Sequence, residues 1–235
     1  MNKWYWILLA FLFLPQLIFE YDISANHVFL LFFICLGLGT IRWEPPKDQK
    51  TALKKLALYL MFVVLFFASL QKLFSSYYLS GSLLMDYILK GTSLSSLGTH
   101  FYPNWETLVE KNLASFLFLK GVQTEGIQAT YYPLFPNMKS WLNGLAWLGL
   151  LLEAIIVFLL PIRSSFAVLF KGFLLLIMVL GVYALRDEAA FMAIMCSLAF
   201  MVMKDESRCF ACTFLLLALI FCTMVVCDWR PALLD

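Results

Sequence analysis

The chain is 235 residues long, 63% hydrophobic and only 14% charged, with a formal net charge of +2. That balance leaves too little polar surface for a water-soluble fold of this length and points to one integral membrane domain over residues 1–235. It excludes nucleic acid as a partner, because no run of like charges forms a basic tail.

The opening MNKWYWILLAFLFLP has the basic start and apolar centre of a signal peptide. The nearest small-residue site, Ile23-Ser24-Ala25, has a bulky side chain where cleavage requires a small one. The segment therefore reads as an uncleaved first helix over Trp4–Phe19. Glu20 and Asp22 mark a turn before a second apolar run, His27–Ile41. Both are shorter than the about 20 residues that cross a hydrocarbon core, so they either cross separately or form one re-entrant hairpin.

A third run covers Leu56–Leu79. Residues 80–138 follow as an insert broken by Gly81, Gly91, Gly98, Pro103, Gly121, Gly126, Pro133 and Pro136, a density no single span tolerates. Within it, SGSLLMDYILKG and NWETLVEKNLASFLFLKG place apolar residues at helical spacing and predict amphipathic helices. Four more runs complete the chain: Trp141–Leu160, Phe166–Leu185, Ala189–Met203 and Phe210–Val226. The fold class is thus all-α, a polytopic transmembrane helical bundle of about seven spans with a long outer loop containing amphipathic helices. Lys3, Arg42, Lys47, Lys50, Lys54, Lys55, Arg163, Lys204 and Arg208 fall on one side of that arrangement. The positive-inside rule makes it the cytoplasmic side, with the N-terminus in and the C-terminus out.

Few charges lie inside the apolar runs, and those few are the functional candidates. Lys72 is about 16 residues into the third run, roughly 24 Å from its start. Ser69, Ser75 and Ser76 share its helical face at offsets of three and four. An amine in such a pocket suits general-base chemistry, whereas the plainer reading is a lysine snorkelling among Tyr77 and Tyr78. Counted back from Leu160, Glu153 is roughly 10 Å from the same edge, which argues against a pair with Lys72. Lys171 lies at nearly the depth of Glu153 on the neighbouring run, so a structural Glu153–Lys171 ion pair is expected.

Cys209 and Cys212, in CFAC, have the spacing of a thiol redox pair, although buried membrane cysteine is the commoner use of such residues. With no second pair and no nearby histidine, a metal site is not expected. His100 in the insert is a weak catalytic candidate. Arg186, Asp187 and Glu188 read as a solvated turn.

The segment LQKLFSSYYLSGSLLMDYIL, then LLEAIIVFLLPIRSSFAVLF and YALRDEAAFMAIMCSLAFM, resembles the vitamin K-dependent gamma-carboxylase and its bacterial relatives, the horizontally transferred transmembrane domain proteins. The resemblance covers roughly residues 56–203 and rests on Lys72, Gly81, Glu153 and Arg163. It implies a membrane-embedded enzyme with Lys72 as base, a quinone or vitamin K-like cofactor, and a lipid-soluble or secreted-peptide substrate. It also implies a bacterial inner membrane as the location and a secreted peptide or membrane protein as partner through the insert. The DoxX and methylamine-utilisation membrane families share a glycine and Lys-Leu pattern. A DoxX-like redox or quinone-binding accessory, or a noncatalytic assembly or maturation subunit, therefore stands beside the enzyme.

Overall fold

The computed structural model describes residues 3–19, 26–41, 45–89, 102, 104–121, 132–186 and 189–227. Ten helices and no strand occur among them: α1 (Lys3–Phe19), α2 (Asn26–Ile41), α3 (Pro46–Phe74), α4 (Ser76–Leu79), α5 (Ser82–Leu89), α6 (Trp105–Gly121), α7 (Met138–Leu159), α8 (Ser165–Arg186), α9 (Ala189–Met203) and α10 (Arg208–Val226). Helix is the form that lets an apolar run satisfy its own backbone without water. Four stretches within these helices are long and apolar enough to cross a membrane: Lys47–Phe74, Met138–Leu159, Ser165–Tyr183 and Arg208–Val226. Three shorter apolar helical stretches, Trp4–Pro15, Val28–Ile41 and Ala189–Met203, accompany them.

The third helix differs from its expected limits at both ends. It begins at Pro46, where proline at the first turn loses no hydrogen bond and its fixed φ suits the helix. It stops at Phe74, because Ser75 adopts an extended conformation (φ −96°, ψ 101°) and its hydroxyl accepts the Tyr78 N–H at 3.1 Å, capping the short α4. Lys72 therefore occupies the last turn of α3, where a cation suits the exposed carbonyl end of the helix.

The main core is built around α9. Eight of its 15 residues are buried, among them Met192, Met195, Cys196, Ala199 and Met203. Helices α2, α3, α8 and α10 surround it. A helix apolar on every side belongs at the centre of a bundle, and at 1.5 Å per residue this one is only about 22 Å long.

Ion pairs define one end of the bundle. Lys54 meets Asp205 at 3.5 Å, and Lys171 meets the Ile162 carbonyl at 3.4 Å and Glu206 at 2.7 Å. The start of α3, the α7–α8 turn and the α9–α10 turn thus share a basal end. Helices α3 and α8 run away from it, and α7 runs towards it.

A second apolar cluster lies at the distal end. Tyr78, Leu84, Ile88, Leu89, Trp105 and Leu134 pack with Met138, Leu142 and Ala146 of α7. Both segments predicted as amphipathic helices are helical here, as α5 and α6. The buried Asn112 side chain fastens α6 to the chain before α7, accepting the Tyr132 N–H at 2.8 Å and donating to its carbonyl at 3.0 Å. Outside the two clusters, Phe74, Leu148, Phe158, Phe166 and Val226 face outward, an apolar exterior compatible with a lipid bilayer.

Candidate functional site

The Lys72 ammonium contacts Glu153 Oε1 across the packing of α3 against α7. The Glu153 side chain is 7% exposed and that of Lys72 23%. The Tyr78 ring covers the amine, with Nζ 5.1 Å from its centroid, close enough for a cation–π attraction of about 0.5–2 kcal/mol. The phenol end of Tyr78 rests against α7 at Gly149, where an added Cβ would lie 3.0 Å from the hydroxyl. Gly149 is one turn before Glu153, so both serve the same face.

The expected serine stripe divides into three roles. Ser69 Oγ is buried and makes no hydrogen bond among the described residues. Ser75 is spent on capping α4, and Ser76 is exposed. Of the three serines, Ser69, three residues before Lys72, is the one whose hydroxyl is buried and not used in a cap.

The expected Glu153–Lys171 pair is replaced by two others, Lys72–Glu153 and Lys171–Glu206. Helical side chains lean towards the N-terminus of their own helix. Lys171 on α8 leans towards the basal end, whereas Glu153 on the antiparallel α7 leans away from it. They diverge from nearly equal backbone heights. Lys72 on α3 leans basally and Glu153 distally, so this pair converges, and their contact shows that the backbones are closer in depth than the roughly 14 Å obtained by counting residues.

Lys171 is fully buried and bridges the Leu160 and Ile162 carbonyls to the Glu206 carboxylate. This arrangement ties the α7–α8 turn to the α9–α10 turn and satisfies carbonyls that the end of α7 leaves open. Lys54 extends the network to Glu206 at 3.9 Å and to Asp205, which Lys50 approaches to 3.7 Å. Loss of water raises the Asp205 carboxyl, but the ammonium groups of Lys50, Lys54 and Lys204 and the Lys54 hydrogen bond outweigh it. The carboxyl is held below its ordinary value.

Cys209 and Cys212 are exposed free thiols at the basal start of α10. Lys54 marks that end of α3, and Lys72 is 18 residues further along, about 27 Å away along the axis. The thiols and the ion pair are therefore separate places. His100, Asp187 and Glu188 lie outside the described residues. Among the described residues, no group of three ligating side chains could hold a metal ion.

The sequence reading named Tyr78, with Tyr77, only as the surroundings of a snorkelling lysine, and it did not reach Gly149 or Glu206. The signal for Gly149 was its spacing of four from Glu153, and the signal for Glu206 was an acid in the turn that closes on α8. Nothing in the sequence separated Tyr78 from Tyr77, which is identical in type and 48% exposed in the fold. No protein-family model matches the sequence, and neither the curated proteins nor the solved structures include a significant match.

Proposed function

We propose that the chain is a multi-pass protein of a bacterial inner membrane, with about seven crossings, a cytoplasmic N-terminus and an external C-terminus. Its activity centres on Lys72, which acts as a base on a lipid-soluble or secreted-peptide substrate, as the resemblance to the gamma-carboxylase-like proteins implies. The observation that carries this reading is the Lys72–Glu153 contact inside the bundle. A partly buried ion pair is a weak source of stability compared with apolar packing, so its presence favours a chemical use. Base action begins when the ammonium N–H breaks and its proton passes to the Glu153 carboxylate. The neutral amine is then free to take a proton from the substrate.

A noncatalytic assembly or maturation subunit is the second reading. It draws on the same contact, because the Lys72–Glu153 pair fastens α3 to α7.

Strains carrying Lys72→Ala, Lys72→Arg or Glu153→Gln at the native locus are compared with a deletion strain by mass spectrometry of lipid extracts and secreted peptides. Enzyme action predicts that Lys72→Arg, which keeps charge but resists deprotonation, reproduces the deletion profile while the protein accumulates normally. A wild-type profile from both Lys72 variants discards it. The orientation is tested by thiol labelling of Cys209: modification by an impermeant reagent in intact cells would reverse it.

A further inference from the structure

We propose that Tyr78 is a positioning residue for the Lys72 amine, holding it against Glu153 and closing the pair from the distal side. The proposal deepens the reading of Lys72 as the reactive group and depends on that reading only for its functional meaning.

Where α3 ends, its last turn would otherwise open onto the distal layer. Tyr78 covers that opening. The residue is 9% exposed, its ring is 5.1 Å from Lys72 Nζ, and its hydroxyl lies at the side-chain-free surface of Gly149. Ring and hydroxyl thus bridge the helix that carries the lysine and the helix that carries the carboxylate. A ring face turned to an ammonium attracts it and covers that side of it.

The backbone on both sides of Tyr78 is held independently of the ion pair. On one side, the Ser75 hydroxyl accepts the Tyr78 N–H. On the other, Gly81 has φ of 74°, and a Cβ there would lie 2.6 Å from the Asn143 nitrogen and 2.7 Å from the Leu142 carbonyl carbon. The elbow between α4 and α5 is therefore seated directly on the backbone of α7. Ser75 and Gly81 aim the tyrosine, and Gly149 receives it.

The test is acylation of Lys72 in the full-length protein reconstituted into phospholipid vesicles. A water-soluble sulfonated succinimidyl ester is the probe, and peptide mass spectrometry gives the Lys72 rate relative to the exposed Lys139. Tyr78→Ala should raise that ratio about tenfold, the factor that corresponds to about 1.4 kcal/mol, and Tyr78→Phe by no more than about twofold, since the ring remains. Tyr78→Leu separates positioning from mere bulk: it should behave like Tyr78→Ala, and a wild-type ratio would overturn the proposal. Gly149→Ala, whose Cβ would press on the hydroxyl at 3.0 Å and move it by a few tenths of an ångström, should raise the ratio by no more than about twofold. If Tyr78→Ala does not accumulate, Tyr78→Leu decides, and an unchanged ratio in that folded variant overturns the proposal. A wild-type product profile from the Lys72 variants would remove the functional reading and leave the labelling result to stand on its own.

Discussion

Glu153 of α7 meets Lys72 of α3 and leaves Lys171 of α8 to Glu206, although Glu153 and Lys171 lie at similar residue counts from the turn that joins their packed helices. Helix direction chose the partners. Side chains that lean towards their own N-termini diverge between α7 and α8 and converge between α3 and α7. The two pairs fasten different parts of the bundle, one its middle and the other its basal end.

Removing one member of the upper pair should cost more than removing both. Lys72→Met and Glu153→Gln are each expected to destabilise the protein by about 3 kcal/mol, because the remaining charge or dipole keeps its burial without its partner. The double variant Lys72→Met with Glu153→Leu should recover more than half of the summed loss. Reversible unfolding in mixed micelles supplies all three values, and strict additivity would show that the contact carries no coupling.

Lys171 should be the more sensitive member of the lower pair. Lys171→Met strands the Leu160 and Ile162 carbonyls and leaves Glu206 with the more distant Lys54 at 3.9 Å, a loss of about 3 kcal/mol. Glu206→Gln keeps an acceptor in place and should lose less. Thermal unfolding of the two purified variants compares them directly, and equal losses would discount the carbonyl contacts.

Gly81→Ala tests the elbow. A side chain there meets both the left-handed backbone and the α7 main chain, neither of which can move aside cheaply. A loss of about 3 kcal/mol or more is expected, together with faster proteolysis within the α4–α5 segment. Gly144→Ala is the control, since nothing lies within 4 Å of a Cβ at that glycine. Similar behaviour of the two variants would contradict the packing described.

Asp205 gives the basal network a pH dependence of known sign. Its carboxyl value is depressed in the folded protein, so the unfolded chain binds the proton more readily. Its contribution is complete above the unfolded value and disappears as pH falls through the depressed folded value. The side chain is 44% exposed, so the effect should be small and weakened by salt. Melting temperatures between neutral pH and about pH 3 should fall less steeply for Asp205→Asn than for the parent protein. A parallel decline would remove Asp205 from the network's energetics.

Much of the architecture could be read along the chain. Apolar runs as long as Met138–Leu159 and Arg208–Val226 have to close their own hydrogen bonds, and a helix does so from local residues alone. The helical spacing of α5 and α6 was equally local. The end of α3 was harder to see, because Ser75 interrupts a run whose hydrophobicity continues to Leu79. A hydroxyl that caps the next helix costs the pattern almost nothing.

Lys72, Glu153 and Lys171 stood out in the sequence because charge within apolar runs is expensive wherever it falls. Their partners did not, since pairing depends on helix direction, side-chain lean and the height at which each helix is held, and none of these is a property of one segment. The same holds for two adjacent tyrosines of equal composition. Tyr77 faces outward and Tyr78 turns inward over the amine, because the chain bends between Ser75 and Gly81 and Gly149 leaves room on a helix more than sixty positions away.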